Sequence, residues 1–255
     1  MIKKRLGSKK LSEMSFLEHL EELRWRLIKI IVTVTVLMFV AFPFSGNFIN
    51  LLCLPNNNLP NPPKLIFLKP SGMLMVRMNV SIALGIIASL PVIFYQLWKF
   101  VAPGLLPKEK KVVTPVIFFS TLCFLVGAVF SYLVMIPFIL PFLYSMSIEN
   151  IEATLNISEY ISFVVRIILV SGLVFEMPMV VFFLTKLGIL QPKMLRKFRR
   201  YAIVINFIIA AILTPPDPVS QILLAVPLFI LYEISIWVSA VVYRKKKKAE
   251  EILAN

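Results

Sequence analysis

The sequence predicts an all-α integral membrane protein with six transmembrane helices and both termini on the cytoplasmic side. Three observations carry this prediction. Of 255 residues, 59% are hydrophobic, and mean hydropathy is +0.87, well above a soluble domain, where about half the residues are apolar. Apolar runs near the ~20 residues needed to cross a bilayer recur along the chain. The basic residues fall in alternate connections, the pattern that sets membrane orientation. The whole chain, 1–255, reads as a single polytopic domain with spans at about 27–44, 78–98, 112–136, 160–185, 201–213 and 219–242.

The N-terminal segment carries Lys3, Lys4, Arg5, Lys9 and Lys10. Next comes an amphipathic stretch, with Ser12 or Ser15 as its cap. Phe16, Leu20, Leu23 and Leu27 share one helical face, and Glu18, Glu22 and Arg26 another, at four-residue spacing. His19 is three residues from Glu22, within reach of it on a helix. A flank that only sets topology needs Lys and Arg, whereas this one also holds Glu18, Glu21 and Glu22. After the first span, residues 45–77 read as a long loop, with 49–54 and 65–68 as short interfacial pieces.

The second span contains Pro91, and the short basic connection 99–111 contains Glu109 as its sole acid. The third span ends at Pro137 and Pro141, and the loop 138–159 holds Glu149, Glu152 and Glu159 without Lys or Arg. The connection 186–200 is again basic. The fifth span, about 201–213, reaches only about 20 Å, short of a hydrocarbon core of about 30 Å. Across the turn Thr214-Pro215-Pro216-Asp217-Pro218, Asp217 is placed to cap the last span and Pro218 to be its first residue. That span contains Pro227 and Glu233, for which packing and function weigh equally, and it leads into Arg244 and Lys245 to Lys248.

A net charge of +14 would suggest nucleic acid in a soluble chain; here it sits in short loops and sets topology, so no nucleic-acid partner is expected. His19 is the single histidine and Cys53 and Cys123 the only cysteines, so no zinc site, no other metal, no cofactor and no disulfide are expected. The first apolar run starts late, is long and lacks a small-residue cleavage pattern, unlike a signal peptide. No internal repeat points to an inverted-repeat transporter.

Glu176 is the sharpest single residue. Counted from Tyr160, it lies roughly 24 Å into a helix of roughly 39 Å, near mid-bilayer. A carboxylate there costs a few kcal/mol even on lenient insertion scales, about 2.5 or more. Pro178 beside it donates no hydrogen bond and clashes with the Val174 carbonyl, so a freed acceptor and an acid occur together as a polar notch. Arg166, ten residues earlier, cannot pair with Glu176 on a straight helix and snorkels toward the outer end. Pro91 and Pro227 are expected to kink or locally unwind their helices.

Four segments in this order resemble the TatC family, the receptor subunit of the twin-arginine protein translocase. They are His19-Leu20-Glu21-Glu22-Leu23-Arg24-Trp25-Arg26-Leu27, the run from Pro91 to Leu105, Phe175-Glu176-Met177-Pro178, and the run from Leu213 to Gln221. The resemblance covers nearly the whole chain and implies a cup-shaped six-helix protein in a prokaryotic plasma membrane. Such a protein binds Arg-Arg signal peptides at its cytoplasmic face. With single-span TatA- and TatB-type partners, in an oligomeric receptor complex, it exports folded proteins using the proton-motive force.

The family's arginine-binding glutamates fall on Glu22 and Glu109 and its loop aromatic on Phe100, with His19 and Arg24 in the same N-terminal motif. Its intramembrane glutamate falls on Glu176, next to Pro178, and faces the partner helices. Pro91, Pro215, Asp217 and Gln221 are the structural positions of the matching segments. The chain departs from the pattern at Pro70-Ser71-Gly72, where relatives often carry an acid, and at Arg166, where they carry an apolar or small residue.

Chemistry agrees with the resemblance: a guanidinium pair is best held by carboxylates that accept two bonds each. A secondary transporter with Glu176 as its proton or ion site is the rival reading, but it calls for polar residues on several spans. An enzyme would need a ligand set or nucleophile that the sequence does not supply.

Overall fold

The computed structural model describes residues 16–101, 113–145, 154–213 and 218–254. α1 (Phe16–Ala41) carries the amphipathic motif directly into the first apolar run without a break, because neither Pro nor Gly interrupts it. A 3₁₀ turn (Phe42–Phe44) follows, closed by a 2.7 Å hydrogen bond from the Ser45 hydroxyl to the Phe42 carbonyl. α2 (Ser45–Asn57) then continues, so 41 residues, Leu17–Asn57, form one long apolar helical stretch. The loop expected from residue 45 therefore begins only after Asn57. Helical period explains this: Ser45, Ile49, Leu52, Cys53 and Asn56 are buried, at spacings of four, three, one and three.

β1 (Lys64–Ile66) and α3 (Gly72–Val101) come next, and α3 passes through Pro91 without unwinding. α4 (Val113–Phe130) runs through a π-helical turn (Ser131–Met135) into α5 (Ile136–Ser145). Pro137 and Pro141 thus do not end the third span. Pro137 lacks an N–H and crowds the carbonyl of Leu133, and the wider turn immediately before it accommodates both defects. β2 (Thr154–Asn156) pairs in parallel with β1, Leu65 opposite Leu155, the only β-structure among the described residues.

α6 (Ile157–Val174) starts at the Asn156 side chain, which accepts from the Ser158 N–H at 3.0 Å. After the break at Phe175 and Glu176 come α7 (Met177–Leu187), α8 (Pro192–Leu213) and α9 (Pro218–Ala254). α9 passes through Pro227 unbroken. The basic segment 193–200, read from sequence as loop, forms the first turns of α8, with Pro192 at its opening position.

Among the described residues, five helical stretches are long and apolar enough to cross a membrane, and α8 is a sixth long helix whose apolar part is short. Large apolar side chains point outward all round: Phe39, Phe118, Phe138, Ile212 and Trp237 are each at least 65% exposed. On helices of this length and hydropathy such a surface is that of a protein embedded in lipid. The chain is a multi-pass, all-α membrane protein.

α1 packs chiefly on α3; α6 packs on α3 and α4; α9 covers α7 and α8. The α1–α3 contact is close because Gly85 has no side chain: a Cβ there would stand 2.9 Å from the Met38 nitrogen. Buried hydroxyls bond back to their own helices, Ser81 to the Arg77 carbonyl and Ser131 to that of Ala128, at 2.6 and 2.8 Å. At the end away from the N-terminal motif, tyrosines tie α2 to the bundle. Tyr160 donates to the Leu52 carbonyl at 2.9 Å and Tyr132 to that of Leu51 at 2.7 Å. Tyr144 reaches the Asn56 side-chain oxygen at 3.2 Å, and Asn56 in turn donates to the Pro63 carbonyl.

Tyr160→Phe removes a buried hydroxyl and nothing else. It is expected to cost about 1 kcal/mol, read as a lower thermal midpoint of the purified protein in detergent. An unchanged midpoint would show that this hydrogen bond contributes no net stability.

Candidate functional site

Two carboxylates stand out from the lipid-facing surface, one at the start of α1 and one inside the bundle. Glu22 lies a turn and a half into α1, where the helix leans on the end of α3. Arg26, one turn further, pairs with one Glu22 oxygen and also donates to Gln96 of α3 at 3.4 Å. The pair is well covered, with Arg26 11% and Glu22 19% exposed at the side chain. The second oxygen, Oε2, is buried without a hydrogen-bond partner among the described residues. Nδ1 of His19 stands 4.0 Å from it, beyond hydrogen-bond reach.

His19 stacks on Phe100 of α3, ring centroids 4.2 Å apart and planes within 14°. The carboxylate thus has one oxygen occupied, one buried and unpaired among the described residues, and an aromatic pair beside it. Such a wall suits a guanidinium, which stacks on rings while bonding a carboxylate. Of the residues expected at this site, the structure brings Glu22, His19 and Phe100 together. Arg24 is exposed, two residues from Glu22 and so on a different helical face. Glu109 lies outside the described residues.

The second carboxylate, Glu176, is 5% exposed. It sits in the break between α6 and α7. The Glu176 N–H bonds the Leu173 carbonyl at 3.1 Å, and its own carbonyl accepts from Val180 at 2.9 Å. Pro178, in the first turn of α7, contributes no N–H and the chain breaks just before it, whereas it runs on through Pro91 and Pro227. The Ser120 hydroxyl and the Phe124 backbone of α4 face the carboxyl group. Oε1 has no hydrogen-bond partner among the described residues. Position is fixed by tight packing beside it: a Cβ on Gly127 would lie 2.7 Å from Phe175.

Pro215 and Asp217, in the connection between α8 and α9, lie outside the described residues; α9 begins at Pro218. Gln221 crosses between the two helices, donating to the Phe207 carbonyl at 3.0 Å.

A model of the family described as Sec-independent protein translocase protein (TatC) matches residues 18–227. The chain belongs to the TatC family. A Sec-independent protein translocase protein TatC from Aquifex aeolicus is 39% identical over 240 residues, covering 93% of this chain and 100% of that protein. One from Helicobacter pylori strain J99 is 41% identical over 232 residues, 91% of either chain. The Halothiobacillus neapolitanus protein is longer: at 39% identity the match covers 94% of this chain but 66% of that one. Two crystal structures of a twin-arginine translocase receptor TatC, one of them in DDM, superpose with TM-score 0.80. Their identities are 38% and 40%, and they cover 88% and 87% of this chain and 99% of each structure.

Against this TatC fold, three polar features are ones that sequence reasoning passed over or left open. Asn206 of α8 is 1% exposed, with both side-chain polar atoms unpartnered among the described residues. It edges an otherwise apolar groove of about 260 Å³ between α8 and α9. A lone Asn within the apolar run of 201–213 was the signal available. Glu233 of α9 accepts from Arg199 of α8 at 2.6 Å, a pairing hidden while 193–200 read as loop. Gln96 reaches Arg26 across α1 and α3.

Proposed function

We propose that this TatC-family chain is the receptor of a twin-arginine translocase: it binds Arg-Arg signal peptides of folded cargo at its cytoplasmic face. The observation that carries this reading is the half-occupied Glu22 carboxylate with the His19–Phe100 stack beside it. One guanidinium donates to the unpaired Oε2 of Glu22 and stacks on the aromatic pair, and the second donates to Glu109, on the connection after α3. Arg24 adds a polar contact at the rim of the same motif.

Orientation follows from charge. The N-terminal segment, the connections after the second and fourth spans and the C-terminal tail hold most of the Lys and Arg, so both termini are cytoplasmic. Support comes from the tail of α9, where Lys246 donates to the Lys186 carbonyl at 3.3 Å, joining two basic segments at one end of the bundle. Six crossings then require α8 to span despite its short apolar part, with the bilayer thinned beside it.

The cup formed by the six helices presents Glu176 and Pro178 to single-span TatA- and TatB-type partners, and the assembled, oligomeric complex draws on the proton-motive force. Binding of this kind needs neither a metal nor bond-making chemistry in the chain.

The deciding experiment compares a signal peptide bearing Arg-Arg with the same peptide bearing Lys-Lys. Only the guanidinium form offers two bonds per carboxylate, so the Lys-Lys peptide is expected to bind about tenfold or more weakly. Equal affinity would remove the receptor assignment. Orientation is tested separately by labelling single cysteines: positions 193 and 245 are expected to react from the cytoplasmic side and 152 and 217 from the outside. Cytoplasmic labelling at 152 would invert the topology.

A further inference from the structure

At the end of the bundle away from the N-terminal motif, a cavity of about 550 Å³ opens between the start of α3 and the outer turns of α6. That volume falls within the roughly 300–1,000 Å³ typical of small-ligand sites. Lys69 and Arg166 contribute two positive charges to its lining and Glu159 one negative charge, so the cavity is net positive. Neither cation has an ion pair or hydrogen bond through its side chain among the described residues.

Arg166 lies nine residues into α6, roughly 14 Å from its start, inside the stretch Ile157–Leu187 that is apolar enough to cross a membrane. Cations inside membrane-spanning segments pair with a counter-charge, and an anion drawn to the cavity supplies the one that Arg166 lacks among the described residues.

The rest of the lining is two-sided. Hydroxyls of Ser71, Ser158 and Ser162 stand with the charges, while Leu68 and Met75 form an apolar edge, 69% and 61% exposed. A free inorganic anion has no use for that edge. An amphiphile uses both parts, polar group inward and chains along the outer surface.

We propose that this cavity binds the headgroup of an anionic phospholipid. Its phosphodiester is held by Arg166 and Lys69, a headgroup hydroxyl donates to Glu159, and the acyl chains lie over Leu68 and Met75. On the topology proposed above the lipid belongs to the outer leaflet; the binding itself does not depend on the translocase reading.

The test uses the purified full chain in detergent, mixed with equal amounts of phosphatidylglycerol and phosphatidylcholine, with retained lipid read by native mass spectrometry. Phosphatidylglycerol is expected to be retained in preference. Arg166→Gln and Lys69→Gln should each lower that preference about fivefold, the effect of one basic residue at a membrane surface. The double variant should lose it, whereas Arg166→Lys, which keeps the charge, should retain most of it. Both residues are exposed, so these variants are expected to fold, and an unchanged thermal midpoint checks that they do.

Equal retention of the two lipids in the wild type overturns the proposal. A preference undiminished in the double variant assigns the lipid to another basic surface, such as that of Lys193 to Arg200, and overturns it too. Displacement of phosphatidylglycerol by excess inorganic phosphate makes the cavity a free-anion site and overturns the lipid assignment. Signal-peptide binding measured on the same samples keeps this outcome separate from the receptor reading.

Discussion

Glu22→Gln is expected to weaken binding of an Arg-Arg signal peptide by about 1–3 kcal/mol, roughly 5- to 150-fold, and Glu109→Gln by a similar amount. The range is that of a charge-assisted hydrogen bond at a partly covered site. In the free protein Glu22 is not idle: Arg26 already holds one of its oxygens, and through Gln96 the pair links α1 to α3. An incoming guanidinium therefore displaces the cover of the unpaired oxygen and donates to it, or replaces Arg26. In either case the carboxylate's charge is the attraction, and Gln, of the same shape, lacks it.

Because Glu22→Gln also weakens the internal pair, a loss of binding has two possible sources, and Arg26→Gln separates them. That variant breaks the same internal pair while leaving the carboxylate in place, so peptide affinity is expected to be retained or increased. Equal losses in Glu22→Gln and Arg26→Gln would mean that the pair matters for holding α1 against α3, and the binding assignment would fall. Unchanged affinity in both Glu22→Gln and Glu109→Gln would overturn it outright.

The contact between Glu22 and Arg26 was readable from their four-residue spacing, because a helix brings such positions together whatever surrounds it. The stack of His19 on Phe100 was not: it depends on α1 meeting α3 at Gly85, a tertiary contact that no local pattern encodes. Likewise the break at Glu176 follows from a single proline, yet Pro91, Pro141 and Pro227 sit in unbroken helices. One missing N–H is a small loss that neighbouring helices and a local π-turn absorb, so a proline alone does not say which outcome holds.

Residues 45–57 misled for a related reason. Their Asn and Pro content signals a turn, but the buried face formed by Ile49, Leu52 and Cys53 packs on the bundle, and that burial outweighs the composition. Residues 193–200 show the converse. Their basic charge was read as loop, while the spacing of Leu195 and Ala202, both buried against α9, fits a helix.

Glu176→Ala is expected to leave signal-peptide binding intact and to impair transport, together with crosslinking of the sixth and seventh helices to a single-span partner. The break in the chain is set by Pro178 and the neighbouring Phe175–Gly127 contact, so removing the carboxyl group leaves the local backbone as it is. What disappears is a buried oxygen without a partner of its own among the described residues, next to the Ser120 hydroxyl. Hydrogen bonds between membrane helices average about 0.6 kcal/mol and reach about 1.7, so the loss corresponds to roughly 3- to 18-fold in partner affinity. That is weak enough for a partner to exchange, as a complex assembled on demand requires. Glu176→Gln still donates and accepts, and it should do less harm than Ala. An ion or proton site predicts no such difference, since Gln abolishes titration as completely as Ala does; equal failure of both variants would favour a transporter-like role. Normal transport by Glu176→Ala, with crosslinks unchanged, would reduce Glu176 to a packing residue satisfied within the bundle.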